Sequence, residues 1–310
     1  MIKLNNLVFL FFELRHSDMI NVNDFLYGKM ELPMVFSDLL NTDALKRLGG
    51  IHQSGAIFLV NPDICHSRLE HAIGVTMLIR TLGGSELEQI AGLLHDISHT
   101  AFSHVGDYVF GNTDEDYHEK VFAEVLCKSE VPGILLKYGY NVSQILHGTF
   151  DILEQPLPAL CADRLDYTLR DGVHGGVISR QRAREFLTAV VLKDGKIAVN
   201  AGTEVAWINE AFEKLNNDVF KLPLHLYANG KMAELIKRFL DKGLLVESDL
   251  FKTDTMLLNK IRTSYEGYEA IKSIKQLKGL AEFMRNGAGP KIKKTNIKCL
   301  SGLIGLTWIV

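Results

Sequence analysis

The sequence has few cysteines, no long apolar run and no excess of positive charge. Its four cysteines, Cys65, Cys127, Cys161 and Cys299, form no C-x-x-C pair, which argues against a disulfide framework and predicts a reducing compartment. The 310 residues carry a formal net charge of −3, so the basic footprint of a protein that binds nucleic acid non-specifically is missing. A phosphorylated substrate would therefore have to be bound by a local cluster of cations.

The longest apolar segments stand near the two ends of the chain and are too short to cross a bilayer. Residues 7–12 and residues 302–310 are apolar, and the first segment lacks the small-residue cleavage site of a signal peptide. We favour docking of each tail onto the protein body as a strand or helix over a membrane anchor. The sequence therefore predicts a soluble, cytoplasmic protein.

Apolar residues recur at spacings of three and four from about residue 35 to about residue 187, which is typical of helices. Stop and start signals predict a helix over His66–Leu82, a capping box at Ser85–Glu88, a helix start at Thr113–Asp116 and a helix over Ala159–Asp171. Only residues 190–200 predict a β-hairpin, with its turn at Asp194-Gly195. Helical spacing then resumes from about residue 204 to about residue 283.

These patterns divide the chain into three parts. Residues 1–18 are predicted to be an N-terminal extension, residues 19–189 a helical core, and residues 190–310 a C-terminal α+β region packed on that core. The predicted fold class is therefore mainly α, with a small β-hairpin and a C-terminal α-rich extension.

Histidine is concentrated in one part of the chain, where seven of the eleven histidines fall between His52 and His118. Histidine is costly to bury without a partner, so crowding around the His95-Asp96 pair indicates metal ligands. The candidate set of two imidazoles and two carboxylates is His71, His95, Asp96 and Asp163. Such a mixture suits Fe, Mn, Zn, Ni or Mg rather than a thiolate-type structural zinc site. On spacing alone, unrelated core histidines explain the pattern equally well.

Four segments together resemble the HD-domain metal-dependent phosphohydrolases. They are Arg68-Leu-Glu-His71-Ala-Ile-Gly74, Gly92–His104 around the His95-Asp96 pair, Tyr117-His-Glu119, and Asp163–Asp171. The resemblance covers roughly residues 45–180. Within the family, the chain most resembles the SAM-and-HD-domain-type deoxynucleotide triphosphohydrolases, although no SAM domain is present. It implies an HD-domain helical bundle that binds a divalent transition metal (Mn, Fe, Ni or Zn), possibly with Mg.

The resemblance implies attack of a metal-activated water on a phosphorus atom, with a nucleotide as the substrate. In the triphosphohydrolase version, attack at the α-phosphorus releases a nucleoside and tripolyphosphate. The resemblance assigns metal binding to His71, His95, Asp96 and Asp163. It places Arg164 on the phosphate chain and Gln53, Tyr167 and Asp171 at the sugar.

Other candidate residues follow from their spacing. Arg68 shares a helix face with His71 and is a candidate phosphate fork, or else a surface arginine. His99 and His104 are candidate phosphate contacts, or else support for neighbouring groups. His118 beside Glu119 predicts a general acid that the carboxylate orients and keeps protonated, with a solvated helix face as the alternative. Asp166 and Arg170 predict a structural ion pair, and Tyr227 is a weak candidate for closing the pocket.

Residues 190–310 show no convincing match to the family's C-terminal half, which the resemblance implies would supply further phosphate contacts and allosteric nucleotide sites. The Asp and Arg expected for a guanine activator site are not visible upstream, around Asn41 and Gly49. A lysine cluster in residues 190–310 predicts either phosphate contacts or, preferably, a solvated loop: Lys291, Lys293, Lys294 and Lys298. Two alternatives to a dNTP triphosphohydrolase stay open. One is a phosphatase or phosphodiesterase for a nucleoside monophosphate or cyclic nucleotide, and the other is a non-catalytic sensor that binds metal and nucleotide. The family resemblance also predicts a homo-oligomer.

Overall fold

The structure is a computed structural model that describes residues 19–156, 159–286, 298–299 and 308–309. The predicted N-terminal extension, most of the apolar C-terminal tail and three of the clustered lysines (Lys291, Lys293 and Lys294) lie outside the described residues. The described part is mainly helical, with three two-stranded antiparallel sheets, which confirms the predicted fold class. None of the described helices combines the length and the apolar composition that crossing a membrane requires.

The described part begins with a β-hairpin that the sequence analysis missed. Strand β1 (Met19–Asp24) pairs with β2 (Gly28–Pro33) in antiparallel register. The Asp24 carboxylate accepts hydrogen bonds from the backbone N–H groups of Leu26 and Tyr27 and so stabilises the turn. The expectation of a single hairpin at residues 190–200 was therefore wrong. The turn is too long to give the two-residue Asn-Gly or Asp-Gly signature, which explains the miss.

Ten helices follow in the core region, together with a 3-10 turn at Gly55–Leu59. They are α1 (Met34–Leu40), α2 (Asp43–Leu48), α3 (Arg68–Thr81), α4 (Glu86–Leu94), α5 (Val105–Phe110), α6 (Tyr117–Lys128), α7 (Val131–Lys137), α8 (Val142–His147), α9 (Ala162–His174) and α10 (Arg180–Leu187). Helix α3 packs against both α4 and α9, so these three helices form the centre of the bundle.

The helix ends follow the sequence signals with two differences. Ser67 caps α3 in a capping box with Glu70. Ser85 caps α4, but the Glu88 carboxylate does not complete a box, because it accepts hydrogen bonds from the backbone N–H groups of Ile152 and Leu153. Helix α9 begins three residues after the predicted start at Ala159 and ends three residues beyond the predicted end at Asp171. A long-range contact thus decides the role of Glu88.

The C-terminal region begins with the predicted hairpin and continues as helices. Its elements are β3 (Val190–Lys193), β4 (Lys196–Val199), α11 (Gly202–Leu215), a π turn at Asn216–Phe220, α12 (Pro223–Asp241), a 3-10 turn at Glu247–Phe251, α13 (Asp254–Arg262), α14 (Tyr265–Lys275), α15 (Leu280–Arg285), β5 (Lys298–Cys299) and β6 (Trp308–Ile309). Asp194 and Gly195 both have positive φ, 51° and 74°, as a two-residue type I′ turn requires.

Two large apolar clusters hold these elements together. The first joins the N-terminal hairpin, the α3–α4–α9 centre, β3 and β4, and α11. The second joins α5 and the Gly55–Leu59 turn to α12, α13 and α14. Tyr227 lies in this second cluster, 1% exposed, and its hydroxyl donates to the carbonyl oxygen of Lys278. It is thus a core residue and not a group that closes a pocket.

Candidate metal centre

The four predicted metal ligands come together at the ends of three packed helices. His71 lies in the second turn of α3, His95 caps the C-terminus of α4, Asp96 follows it, and Asp163 lies in the first turn of α9. Because α3 packs on both α4 and α9, these ends converge. The adjacent pair His95 and Asp96 can face the same point because the chain leaves the α-helix there.

His71, His95 and Asp163 each offer a ligand atom within 4.8 Å of the others, as a metal ion requires, and Asp96 forms a second such group with His99 and His118. His71 Nε2 lies 3.0 Å from an oxygen of Asp163, and His95 Nε2 lies 3.6 Å from the same oxygen. Asp96 approaches His95 Nε2 at 3.4 Å and His71 Nε2 at 3.8 Å. His95 Nε2 is buried and has no hydrogen-bond partner, which leaves a lone pair for a cation. Two imidazoles and two carboxylates suit a divalent transition metal.

Each histidine is oriented through its other ring nitrogen. His71 Nδ1 lies 2.8 Å from Asp166 Oδ2, and His95 Nδ1 lies 2.8 Å from the carbonyl oxygen of Gly92. A proton on Nδ1 in both rings directs the Nε2 lone pairs inward, the arrangement typical of histidine ligands. Sequence reasoning took Asp166 only as the partner of Arg170 and missed its contact with His71.

Asp166 belongs to a buried charged network. Arg170 donates to both oxygens of Asp166, at 2.8 and 3.0 Å, and to Asp24 in the N-terminal hairpin at 2.9 Å. The side chains of Asp166 and Arg170 are fully buried, so the predicted structural ion pair is confirmed. Gly74 makes room for this pair, because a Cβ there would lie 2.0 Å from an Arg170 nitrogen and 2.2 Å from an Asp166 oxygen.

The surrounding charges set the protonation of the ligands. Burial opposes a charged His71, but hydrogen bonds to Asp163 and Asp166 outweigh it and raise the pKa of His71 to about 10. Burial likewise opposes ionised carboxylates. Nevertheless the Arg68 guanidinium and His95 hold the pKa of Asp96 well below its usual range, and His71 and His95 do the same for Asp163. The carboxylates are therefore ionised at neutral pH, and a bound metal replaces a proton on His71.

A second group of histidines adjoins the Asp96 carboxylate. His99 Nε2 lies 3.3 Å from Asp96 Oδ1, and the His99 ring stacks on His118 with centroids 3.9 Å apart. The His104 ring is 5.1 Å from His99 and 5.8 Å from His118. Three predicted catalytic histidines thus lie together beside the metal ligands.

The histidine that contacts a carboxylate in this group is not the predicted one. The pKa of His118 falls to about 4, because burial and the neighbouring His104 disfavour its charged form. Its Nδ1 atom is buried without a partner, and Glu119 projects elsewhere, since consecutive residues on a helix diverge by about 100°. His104 instead has the carboxylate partner, with Nδ1 3.0 Å from Asp107 Oδ2. Sequence reasoning missed Asp107, although its i+3 spacing from His104 was a signal.

Arg68 and Gln53 lie on the Asp96 side of the centre. Arg68 is not a surface arginine, because it is 4% exposed and donates to Asp96 Oδ2 at 2.7 Å and to Ser103 Oγ at 2.9 Å. Gln53 has a buried side-chain oxygen without a hydrogen-bond partner.

The predicted phosphate-chain and sugar residues on α9 have different partners. Asp171 is buried, and its Oδ1 lies 2.5 Å from His66 Nε2. Tyr167 is half-buried on the same helix. The Arg164 guanidinium donates to the carbonyl oxygens of Ala159 and Gln155, so in this conformation it stabilises the preceding loop.

Comparison with known proteins assigns this bundle and its His/Asp centre to a family. A profile of the HD domain matches residues 68–171. The uncharacterized protein YdhJ of Bacillus subtilis is 42% identical over 245 residues, which cover 78% of this chain and 75% of that protein. The metal-dependent phosphohydrolase cns2 of Cordyceps militaris is 30% identical over 255 residues, 77% of this chain and 72% of its own length. The chain belongs to the HD-domain family. It is a metal-dependent phosphohydrolase of that family.

Two further similarities are more distant. The deoxynucleoside triphosphate triphosphohydrolase SAMHD1 homolog of Dictyostelium discoideum is 29% identical over 199 residues, 53% of this chain and 39% of that protein. The crystal structure of a hypothetical protein from Aquifex aeolicus matches with a TM-score of 0.68 at 21% identity, over 84% of this chain and 76% of that chain. The latter similarity concerns the fold alone.

Proposed function

We propose that the protein hydrolyses deoxynucleoside triphosphates to a deoxynucleoside and tripolyphosphate. The observation that carries the proposal is the position of Asp96, which borders the metal ligands His71 and His95 on one side and the cation Arg68 on the other. A metal and a phosphate group could thus be bound next to each other. The similarity to the Dictyostelium triphosphohydrolase supports a deoxynucleoside triphosphate as the substrate.

His71, His95, Asp96 and Asp163 would bind the metal, with Mn, Fe, Ni and Zn all compatible with this donor set and Mg possible beside it. Such a metal, when bound, supplies Lewis-acid chemistry that polarises a phosphoryl oxygen and acidifies water. The protein's own groups would bind and orient the phosphate and deliver a proton to the leaving oxygen.

Arg68 is suited to phosphate because its guanidinium is fixed by Asp96 and Ser103 before any substrate arrives. His99 has a pKa well below its usual range, since burial and the nearby Arg68 and His118 disfavour a further positive charge. A neutral imidazole donates a hydrogen bond to a phosphate oxygen from one ring nitrogen. We therefore assign Arg68, His99 and His118 to phosphate binding.

Water would add to the α-phosphorus, and the bond from phosphorus to the 5′ oxygen of the sugar would break. That oxygen needs a proton in order to leave as a hydroxyl. His104 is the candidate donor, because Asp107 fixes its ring by the 3.0 Å contact at Nδ1 and so leaves Nε2 for the leaving oxygen. Glu119, exposed on α6, stays a candidate for tuning this group through its charge.

At the sugar end we assign Asp171, Gln53 and Tyr167 to the deoxyribose. We assign Arg164 to the phosphate chain, which it would bind once its hydrogen bonds to the carbonyl oxygens of the preceding loop are broken. The unpartnered oxygen of Gln53 supports a hydroxyl donor as its ligand, because a buried acceptor without a partner is costly. Asp171→Ala is expected to raise KM for deoxynucleotides. An unchanged substrate profile would remove Asp171 from the sugar site.

The test is anion-exchange analysis of the products after the Mn²⁺-loaded protein has been incubated with each of the four dNTPs. Tripolyphosphate and a deoxynucleoside are expected, and the variant His95→Ala/Asp96→Ala is expected to lose both metal and turnover. Orthophosphate or a linear nucleotide from a monophosphate or cyclic substrate would replace the proposal by the alternative phosphatase or phosphodiesterase. Bound metal without any turnover would indicate a sensor. A homo-oligomer and a cytoplasmic location also stay proposals.

A further inference from the structure

We propose that Asp254, a residue of the C-terminal region, is a positioning residue for Arg68. The proposal rests on the proposed function, because it takes Arg68 as a phosphate ligand. Asp254 lies outside the segment that matches the HD-domain profile, residues 68–171, and begins helix α13. The C-terminal helices would then be part of the phosphate-binding apparatus as well as of the fold.

Asp254 is fully buried, and both of its carboxylate oxygens contact the HD core. Oδ1 accepts a hydrogen bond from the backbone N–H of Phe102 at 2.6 Å. Oδ2 accepts from the backbone N–H of His52 at 2.9 Å and lies 2.7 Å from His52 Nδ1. The backbone N–H of Asp254 donates to the carbonyl oxygen of Gly50 at 3.0 Å. The Asp254 side chain thus connects two separate loops of the core, one that contains His52 and one that contains Phe102.

Those two loops meet at Ser103, which in turn contacts Arg68. Ser103 Oγ donates to the carbonyl oxygen of His52 at 2.6 Å and accepts from Arg68 Nε at 2.9 Å. A hydroxyl has a single proton, so its bond to the His52 carbonyl turns a lone pair toward Arg68. The contacts therefore form a continuous path from Asp254 through Ser103 to the guanidinium beside Asp96.

The backbone of the loop that contains Phe102 and Ser103 is in a conformation of high energy. Phe102 and Ser103 have positive φ values of 61° and 54°, a region that costs non-glycine residues about 1 kcal/mol or more each. The Asp254 carboxylate accepts a hydrogen bond from the backbone N–H of Phe102, and the carbonyl oxygen of Leu250 accepts one from the backbone N–H of Ala101. The C-terminal region thus stabilises the strained loop that aims the Ser103 hydroxyl.

Asp249 provides a matched control. It is also buried, at 1% exposure, and also lies just before α13. Its carboxylate binds Lys252, Lys260 and the backbone N–H of Val246, all within the C-terminal region. Removing its charge would therefore test the stability of that region without touching the path to Arg68.

The experiment compares Asp254→Asn, Asp249→Asn and Ser103→Ala in the Mn²⁺-loaded full chain, with inorganic tripolyphosphate as the probe in calorimetric titrations. Asp254→Asn and Ser103→Ala are expected to weaken tripolyphosphate binding about 10- to 100-fold, as loss of an orienting contact typically does. The double variant Asp254→Asn/Ser103→Ala is expected to bind tripolyphosphate no more weakly than whichever of its two single variants binds it more weakly. Asp249→Asn is expected to lower the melting temperature and to leave binding within about twofold of the original.

Two outcomes would overturn the proposal while leaving the proposed function intact. One is unchanged tripolyphosphate binding in Ser103→Ala, which decides the case even if Asp254→Asn fails to fold. The other is strictly additive losses in the double variant, because residues on one path must be coupled. If the original protein binds no tripolyphosphate, the analysis of dNTP products decides about the proposed function, and the visible spectrum of the Co²⁺-loaded protein decides about Asp254. A spectrum that Ser103→Ala leaves unaltered would then refute the path.

Discussion

Replacing Gly74 by alanine is expected to disrupt the metal centre from a position that contacts no metal ligand directly. The added Cβ would lie 2.0 Å from an Arg170 nitrogen and 2.2 Å from an Asp166 oxygen. Neither atom can give way alone, because Arg170 also binds Asp24 and Asp166 also binds His71. The ion pair must therefore break, or α3 must move away from α9.

The size of the effect follows from the burial of the pair. Both side chains are fully buried, and breaking a buried ion pair costs about 3–5 kcal/mol because a charge is left unpaired. In a chain of this size that loss corresponds to a fall in melting temperature on the order of 10 °C. Asp166 would also release His71 Nδ1, so metal affinity should fall about 10- to 100-fold.

Thermal unfolding by circular dichroism and metal content by mass spectrometry measure the two effects. The control is Gly133→Ala, because Gly133 lies in α7 with nothing within 4 Å of the added Cβ. Alanine is the better helix former, so this variant should be as stable as the original or slightly more so. A Gly74→Ala protein with the original melting temperature and metal content would refute the argument that Gly74 accommodates the ion pair.

Three further predictions concern the site itself. Asp166→Asn should lower Mn²⁺ affinity about 10-fold or more with the fold retained; equal affinity would remove its role in orienting His71. Because the pKa of His71 is raised to about 10, the metal must displace a proton, so Mn²⁺ affinity should rise about tenfold per pH unit between about pH 6 and 8; a flat titration curve would contradict this. His104→Ala should slow turnover about 100-fold with metal still bound, and more than His118→Ala does, in rate measurements at saturating substrate; the reverse order would restore His118 as the acid.

The sequence was sufficient to predict the central helices and to select four candidate metal ligands that the structure brings close together. His71 follows the capping box of α3, Asp163 lies on a helix that prolines precede, and the His95-Asp96 pair stands at the end of α4. Local patterns therefore located the helices that carry all four residues. The family resemblance then implied that they converge. Local signals of this kind depend on residues within one or two turns, which a single sequence displays directly.

Contacts between distant segments could not be predicted in the same way. Arg170 was expected to pair with Asp166 four residues earlier, but its second partner, Asp24, lies 146 residues away in a hairpin that was itself missed. Asp254 likewise binds Phe102 across 152 residues. No periodicity encodes such pairs, because each depends on how whole elements pack. The pairing of His118 with Glu119 failed for a simpler reason, since neighbours in sequence diverge on a helix.

In the proposed function, Asp96 connects the metal side of the site to the phosphate side. Its Oδ1 lies between His95 at 3.4 Å and His99 at 3.3 Å, and its Oδ2 accepts from Arg68 at 2.7 Å. A carboxylate has few lone pairs, so a change in its bond to Arg68 alters what it can offer a metal. Metal affinity and phosphate affinity are therefore not independent in this site. The same reasoning explains why an orienting contact as remote as Asp254 would matter, because Arg68 is the group through which the C-terminal helices reach Asp96.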